Sequence, residues 1–557
     1  KSSLNSNRMM LKIKSILSIG IVSLMLGISN QTAAQSNGFE IIKGMELMDQ
    51  IYEHLEKYFV DDIKAGNLSK TAIDAMLKDL DPYTVYYHES NIEDYRLLTT
   101  GQYGGIGSLI RRNGDFVYIA EPYQGKPAEL SGLKAGDKIL EIDGKSMEKK
   151  SSSEVSTALK GPKGTSVDVK VERQGNDVKT IKVDRDEIKL PDVPYSGLLQ
   201  DKVGYIKLNG FTQTASTDVK KAFRELKDQG MESLVLDLRG NGGGLVIEAV
   251  RIVNMFVDRG QVVVSTIGRV EDENRVYKTT EEPMDLDIPL VVLMDGGSAS
   301  ASEIVGGSLQ DLDRAVIIGT TSFGKGLVQR TYDLDYGSKV KLTIAKYYTP
   351  SGRCVQRLEY YDRENGERPE AVADSLITIF KTQNGRDVID GRGIEPDVEV
   401  DKKEFSRLTG TVFGNNFVFD YATDYFYSHP TIANASDFKL SDAEYEEFKK
   451  YVLEQEFTYS TASEEILKKM KEAAEEEGFY EDAEAEYDAL LQKVVPSKER
   501  DLEKFKSELV ELIENEIVSR YHFQRGRVEH AFNYDNDMEE AFKIFQNLKE
   551  YNTILGN

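Results

Sequence analysis

Three short segments in the middle of the chain combine residue types that can do chemistry. The first is Leu238-Arg239-Gly240-Asn241-Gly242-Gly243-Gly244, between an apolar run ending at Leu238 and an amphipathic stretch over 245–257. Four glycines there allow close backbone approach and leave free N–H groups at a helix start, an arrangement that suits an anion or an oxyanion. The segment lacks the Gly-Lys-Ser/Thr ending of a nucleotide loop, and a plain strand-to-helix turn fits it equally well. The second is Gly297-Ser298-Ala299-Ser300-Ala301-Ser302-Glu303, where small residues leave a serine open to a closely approaching substrate. Ser300 and Glu303 also have the spacing of a capping box, so a helix cap competes with a nucleophile. The third is Phe323-Gly324-Lys325-Gly326-Leu327-Val328-Gln329. Lys325 reads either as a solvated loop lysine or as one desolvated enough to be neutral and act as a base, since burial disfavours the charged form. Gln329, four residues on, falls on roughly the same side of a helix or strand and can orient it.

All three segments lie in a stretch without histidine: the five His are His54, His88, His429, His522 and His530. A Ser-His-Asp triad would have to recruit its imidazole from a flanking region, so a Ser-Lys pair is the simpler assignment. Cys354 is the single cysteine, which excludes an intrachain disulfide and any Cys-based metal site, and it reads as a small buried side chain.

The elements that position these segments alternate strand and helix. Over 189–400, strands are expected at 204–208, 233–238, 289–294 and 315–319, with helices at 216–229, 245–257 and 301–311. Near-continuous apolar strands alternating with helices predict an α/β core around a largely parallel sheet. In such sheets function sits just beyond the strand ends, where the three segments fall. Residues 101–188 read as a small mixed α+β unit, with short β-rich runs around Pro127–Asp137 and an Asp143-Gly144 turn. Residues 35–100 carry helical periodicity, broken at Leu80-Asp81-Pro82-Tyr83.

The chain is 557 residues with a net charge of −25, which weighs against nucleic acid as a partner. Residues 401–557 hold 35 acidic and 19 basic side chains, so −16 of that charge falls in one region. It reads as mostly helical, with Glu-rich runs at 443–456 and 474–487 as solvated helix faces. At the other end, Lys12 and Lys14, an apolar run from Ile16 to Ile28 and Thr32-Ala33-Ala34 have the order of a signal peptide. Residues 1–34 are therefore expected to be upstream sequence and a signal peptide. Export to the periplasm or the extracellular space follows, with membrane contact only if that segment stays uncleaved.

Taken together, several separated motifs resemble the carboxyl-terminal processing (tail-specific) protease family over roughly 40–400. They are Leu80-Asp81-Pro82-Tyr83, Tyr103-Gly104-Gly105-Ile106-Gly107, Gly132-Leu133-Lys134-Ala135-Gly136-Asp137, the glycine, serine and lysine segments above, Tyr347-Tyr348-Thr349-Pro350-Ser351-Gly352-Arg353, and Gly393-Ile394-Glu395-Pro396-Asp397. The resemblance implies a crotonase/ClpP-like α/β protease core over 189–400 with an inserted PDZ domain over 101–188. It also implies a serine endopeptidase needing no cofactor and no metal. Ser300 would be the nucleophile, Lys325 the general base and Gln329 its support, which chooses among Ser298, Ser300 and Ser302 where spacing alone does not. The oxyanion hole would use the N–H groups of Ala301 and Gly243, with Gly242 as the alternative to Gly243. The PDZ domain would hold a substrate's C-terminal carboxylate on Gly105, Ile106 and Gly107. Expected partners are proteins or peptides with accessible C-termini. The resemblance ends near 400, so the acidic helical region is left open as an active-site cap, an oligomer contact or a dock for an adaptor. The rival reading is a non-catalytic PDZ-based binder of protein tails; an acyl-CoA enzyme on a similar core is disfavoured by the signal peptide and the PDZ unit.

Overall fold

The computed structural model describes residues 37–89, 92–174, 176–360 and 368–557; the expected signal segment lies outside them. Two units are distinct, divided after Asp79. The first contains a helix over 37–58 and a second at Ala65–Lys78, joined by a 2.9 Å hydrogen bond between Tyr52 Oη and Ser69 Oγ. The helical region expected over 35–100 is therefore not one element. Val85–Tyr87 is a strand of the second unit, paired antiparallel with Lys339–Lys341, and a helix follows at Ile92–Thr100.

The second unit is built on a six-stranded sheet in the order Tyr195–Leu198, Val203–Lys207, Ser233–Asp237, Leu290–Met294, Val316–Gly319, Val398–Glu399. Every pairing after the first is parallel. The three central strands are buried at every position, which is why they read as unbroken apolar runs. Alternation sends their side chains to two faces. Leu234, Leu236, Val292 and Ile317 pack with the helices Ala215–Asp228, Val246–Val253 and Ala301–Asp311. Val235, Val291, Leu293, Val316 and Ile318 face the other way and are covered by Met538, Ala541, Ile544, Tyr551 and Leu555. These last residues belong to the helices Asn536–Gln546 and Leu548–Ile554 and the residue that follows them. A boundary at 400/401 thus cuts through one hydrophobic cluster: the end of the chain is a layer of the core.

Residues 101–188, expected from the sequence to be a small mixed α+β unit, pack around a hydrophobic cluster of their own. Its strands Ser108–Asn113, Phe116–Pro122, Lys138–Ile142, Ser166–Arg173 and Asp177–Asp184 make an antiparallel sheet around Val117, Ile119, Ile139, Val169 and Val171. Its ends are stitched together, since Gln102–Gly105 pairs antiparallel with Asp186–Lys189. The helix Ser152–Leu159 starts at a Ser151/Glu154 capping box.

Helices from Arg407 to Ala531 pack around Leu408, Tyr421, Tyr445, Phe448, Leu509, Ile513 and Ile517. This bundle touches the 101–188 unit directly: Arg527 pairs with the buried Glu121 at 2.8 Å, and Phe419 meets Tyr118 edge-on. The long helix Lys506–Ala531 breaks at Phe523, whose φ is 53° and ψ −160°. Among the described residues, no helix is long and apolar enough to cross a membrane.

Candidate active site

The three segments singled out by their chemistry leave the carboxyl ends of three neighbouring parallel strands. The glycine loop follows Ser233–Asp237, the serine loop follows Leu290–Met294 and the lysine loop follows Val316–Gly319.

Buried polar groups lock the first two loops together. Asp295 Oδ1 accepts the N–H groups of Gly240 (2.8 Å) and Gly297 (2.9 Å). Asn241 is fully buried; its amide donates to Leu208 O at 2.8 Å, while its own carbonyl accepts Ala299 N–H and Ser302 Oγ. Ser298 Oγ donates to Leu238 O at 2.9 Å. Ser298 and Ser302 are therefore both fully buried and committed to backbone carbonyls. Ser300 is the half-buried one, held at φ 56° and ψ −110°, a region that costs energy for any residue with a Cβ. Backbone strain of this kind, at a strand-to-helix turn, pushes a side chain outward over the end of the sheet.

Gly243 faces Ser300. Its φ is +97°, and a Cβ placed there would lie 2.9 Å from Ser300 Cβ and 2.9 Å from Ala301 N, so only glycine fits. Ala301 N–H opens the helix and has no acceptor among the described residues. Gly243 N–H already donates to Asn241 Oδ1 at 2.9 Å, whereas Gly242 is exposed and its N–H has no acceptor among the described residues. Of the two glycine donors expected at an oxyanion hole, Gly242 is the unengaged one.

Glu303 joins the serine loop to the lysine loop. Its side chain is fully buried and accepts four hydrogen bonds. Oε2 takes the N–H groups of Ser300 (2.8 Å) and Lys325 (2.9 Å); Oε1 takes Ser322 Oγ and Gly324 N–H (both 2.6 Å). Burial raises its pKa, and the four donors offset only part of that rise. The expected cap is thus present in its backbone half, Ser300 N–H to Glu303, and the same carboxylate fixes the second loop.

Lys325 is mostly buried. Its Nζ stands 4.3 Å from the centre of the Tyr83 ring, a cation–π geometry. Desolvation is the main cause that lowers its pKa to about 8; Lys341 adds to the fall, while Glu303 and Asp81 oppose it. Tyr83 is set by the Asp81 turn, in which Asp81 Oδ1 accepts the N–H groups of Tyr83 (2.7 Å) and Thr84 (2.8 Å). Neither Ser300 Oγ nor Gln329 is hydrogen-bonded to Lys325 Nζ among the described residues. Gln329 lies on the strand Leu327–Asp333, past a bulge, and donates to Thr343 Oγ1 at 3.2 Å. Thr343 meets Thr84, which donates to Asp81 at 2.9 Å, so Gln329 is linked to the turn that carries Tyr83. Sequence spacing missed Tyr83, Asp81 and Lys341, because they come from a turn and a strand far along the chain.

The remaining motifs form scaffold. Arg353, 1% exposed, lies 2.8 Å from Asp311 and bonds Gln310, gripping the end of the helix that Ser300 starts. Asp397 accepts the N–H of Ile317 and the amide of Gln310. Cys354 packs beside Gly326, and burial pushes its thiol pKa up.

In the 101–188 unit, Ile106 lines a cavity of about 190 Å³ with Tyr103, Ile110, Leu159 and Lys160, between the strand Ser108–Asn113 and the helix Ser152–Leu159. Gly105 sits in the strand pair with Asp186, and Gly107 turns at φ +74° against Lys126. A larger cavity of about 680 Å³ runs from Tyr123 and Lys126 to Gly243, and Phe523, Gln524 and Arg525 of the broken helix line it as well.

Comparison with known proteins places each part. The model of peptidase family S41 matches residues 202–360, that of the PDZ domain matches 97–172, and "Probable PDZ-protease, C-terminal helical domain" matches 408–545. The helical region that the sequence resemblance left unmatched thus has a family of its own. A carboxy-terminal-processing protease of Bartonella bacilliformis is 34% identical over 340 residues, 60% of this chain and 78% of its own. A probable CtpA-like serine protease of Staphylococcus aureus is 33% identical over 332 residues, 59% of this chain and 64% of its own. Among solved structures, a photosystem II D1 C-terminal processing protease is 30% identical, covering 63% of this chain and 86% of its own with a TM-score of 0.36. The PDZ domain of a carboxy-terminal protease from Vibrio cholerae, solved with a peptide, is 31% identical over 16% of this chain and 99% of its own, with a TM-score of 0.15. The three loops stand inside the S41 match, and Tyr103, Ile106, Ile110, Leu159 and Lys160 of the smaller cavity inside the PDZ match. The chain belongs to the carboxy-terminal-processing proteases of peptidase family S41, with a PDZ domain and a C-terminal helical domain.

Proposed function

We propose that the protein is an exported serine endopeptidase that captures polypeptide C-termini in its PDZ domain and cleaves them with Ser300 and Lys325. The observation that carries this reading is the pairing, through Glu303, of a strained half-buried serine with a lysine whose pKa burial lowers to about 8. Neutral Lys325 would take the Ser300 Oγ proton as Oγ attacks the scissile carbonyl. The oxyanion would rest on Ala301 N–H and a glycine-loop N–H, that of Gly242 or of Gly243 released from Asn241. The Lys325 ammonium then returns its proton to the leaving amine, and water hydrolyses the acyl-enzyme by the same route in reverse.

An extended chain whose C-terminus lies beside Ile106 can pass along the 680 Å³ cavity towards Gly243. Export rests on the order of residues 9–34.

The test is incubation of a denatured protein with wild type, Ser300→Ala and Lys325→Ala, with fragments identified by mass spectrometry. Wild type should produce fragments and neither variant should. Cleavage by Ser300→Ala at the wild-type rate would refute the assignment. Retention of the substrate without any fragments from wild type would favour the binder.

A further inference from the structure

The glycine loop has little to hold it. Gly240, Gly243 and Gly244 all have positive φ, and glycines carry no side chain to pack. Its inner anchor is the buried Asn241. Its outer anchor is Arg239, whose guanidinium is shared between the neighbouring Asp237 and two aspartates from far along the chain. Asp535 binds the guanidinium in a bidentate pair (Nη1–Oδ1 2.9 Å, Nη2–Oδ2 2.7 Å), and Asp537 Oδ2 takes Nη1 at 2.7 Å. On the inner side, Asp237 accepts Nη2 at 2.6 Å, Nε at 3.1 Å and the Arg239 N–H at 2.8 Å, and is itself held by Tyr205 Oη and Lys207. Lys207 also donates to Arg239 O at 2.8 Å. The side chains of Arg239 and its three carboxylate partners are all less than one-fifth exposed, and the bonds between them are charge-assisted, bidentate to Asp535 and single to Asp537.

Asp535 and Asp537 stand at the start of the helix Asn536–Gln546, which is anchored to the sheet by Met538, Ala541 and Ile544. They are thus fixed to the core on one side and to Arg239 on the other. Four residues after Arg239, Gly243 abuts Ser300.

We propose that Asp535 and Asp537 are positioning residues for the proteolytic site: the C-terminal helices, through Arg239, hold the glycine loop where its N–H groups can meet the oxyanion. This rests on the assignment of Ser300 as nucleophile. It gives the C-terminal region a task inside the active site in addition to covering the core.

The experiment compares full-length wild type, Asp537→Asn, Asp535→Asn/Asp537→Asn and, as a charge control on the same helix, Glu539→Gln, whose ion-pair partner is Lys543. It measures kcat and KM on a peptide substrate, the rate at which a small fluorophosphonate labels Ser300, PDZ affinity for a fluorescent C-terminal peptide, and the unfolding temperature. The double variant should lose about ten- to a hundredfold in kcat and in labelling rate together. KM and peptide affinity should stay within about twofold, and Glu539→Gln should behave as wild type. Asp537→Asn, which removes one contact, should show a smaller loss of the same kind and serves where the double variant unfolds. Unchanged kcat and labelling in both aspartate variants, or losses that track the unfolded fraction, would overturn the proposal. Failure of wild type to label or cleave would instead refute Ser300 as nucleophile.

Discussion

Lys325 and Glu303 are joined backbone to side chain: the Lys325 N–H donates to Glu303 Oε2 at 2.9 Å, and the same oxygen accepts the N–H of Ser300. A carboxylate is suited to this place because all four of its partners are donors. Glu303→Gln keeps the shape but turns an NH₂ group towards two of them. The expected result is a fall in kcat of at least about tenfold and a loss of roughly 2–3 kcal/mol in urea unfolding, since buried donors are left unpaired. Wild-type activity in this variant would mean that the two loops hold their places without it.

The lowered pKa of Lys325 sets a pH dependence. A base must be neutral to take a proton, so kcat/KM should rise with pH and level off above a midpoint near 8. Rates on an uncharged ester substrate between pH 6 and 10 check this. A profile flat across that range would remove Lys325 as the titrating group.

Burial of Lys325 also carries a cost in stability. Its folded pKa, about 8, lies below the unfolded value near 10.4, so the unfolded chain binds more protons between those limits and stability rises with pH through that window. Below pH 8 the penalty is present in full, on the order of 3 kcal/mol. Lys325→Met should therefore abolish cleavage while raising the unfolding temperature at pH 7, with a smaller gain at pH 10. A lower unfolding temperature at pH 7 would show that the Tyr83 contact outweighs desolvation.

Asp420 offers the opposite case, at the contact between the helical and PDZ domains. Desolvation pushes its pKa up to about 6, with Asp424 adding to the rise, while its bond from Asn113 and the charges of Arg111 and Arg520 oppose it. Here the folded state holds the proton more tightly, so the stabilising contribution present below pH 4 is lost as pH rises from about 4 to 6. Asp420→Asn should raise the unfolding temperature at pH 7.5, by about 1–3 kcal/mol in free-energy terms, and change it little at pH 4. Equal effects at the two pH values would point to packing rather than charge.

The parallel sheet and its loops were legible in the sequence because buried strands leave unbroken apolar runs, such as Leu290–Met294, and because glycines mark where chain must turn tightly. The choice among the three serines was not legible locally. Ser298 and Ser302 differ from Ser300 in burial and in the carbonyls they bind, and those carbonyls belong to a loop some sixty residues earlier. The i, i+4 argument for Gln329 did not name its partner, Thr343, because that contact comes from the paired strand and not from the local chain. The acidic C-terminal region misled by its bulk. Most of its charge is solvated helix surface, and the two aspartates that reach Arg239 lie outside the Glu-rich runs that drew notice.

The cover on the second face of the sheet sets an order in time. Val235, Val291, Leu293, Val316 and Ile318 find their partners in Met538, Ala541, Ile544, Tyr551 and Leu555, which are synthesised long after the strands they cover. A chain still being made can assemble its PDZ domain and form the loops around Ser300, yet the sheet beneath them keeps one apolar face open to water. The protease core closes only when the segment from Met538 to Leu555 has joined it, so a chain that has not reached that segment carries an uncovered apolar sheet face, a surface prone to association.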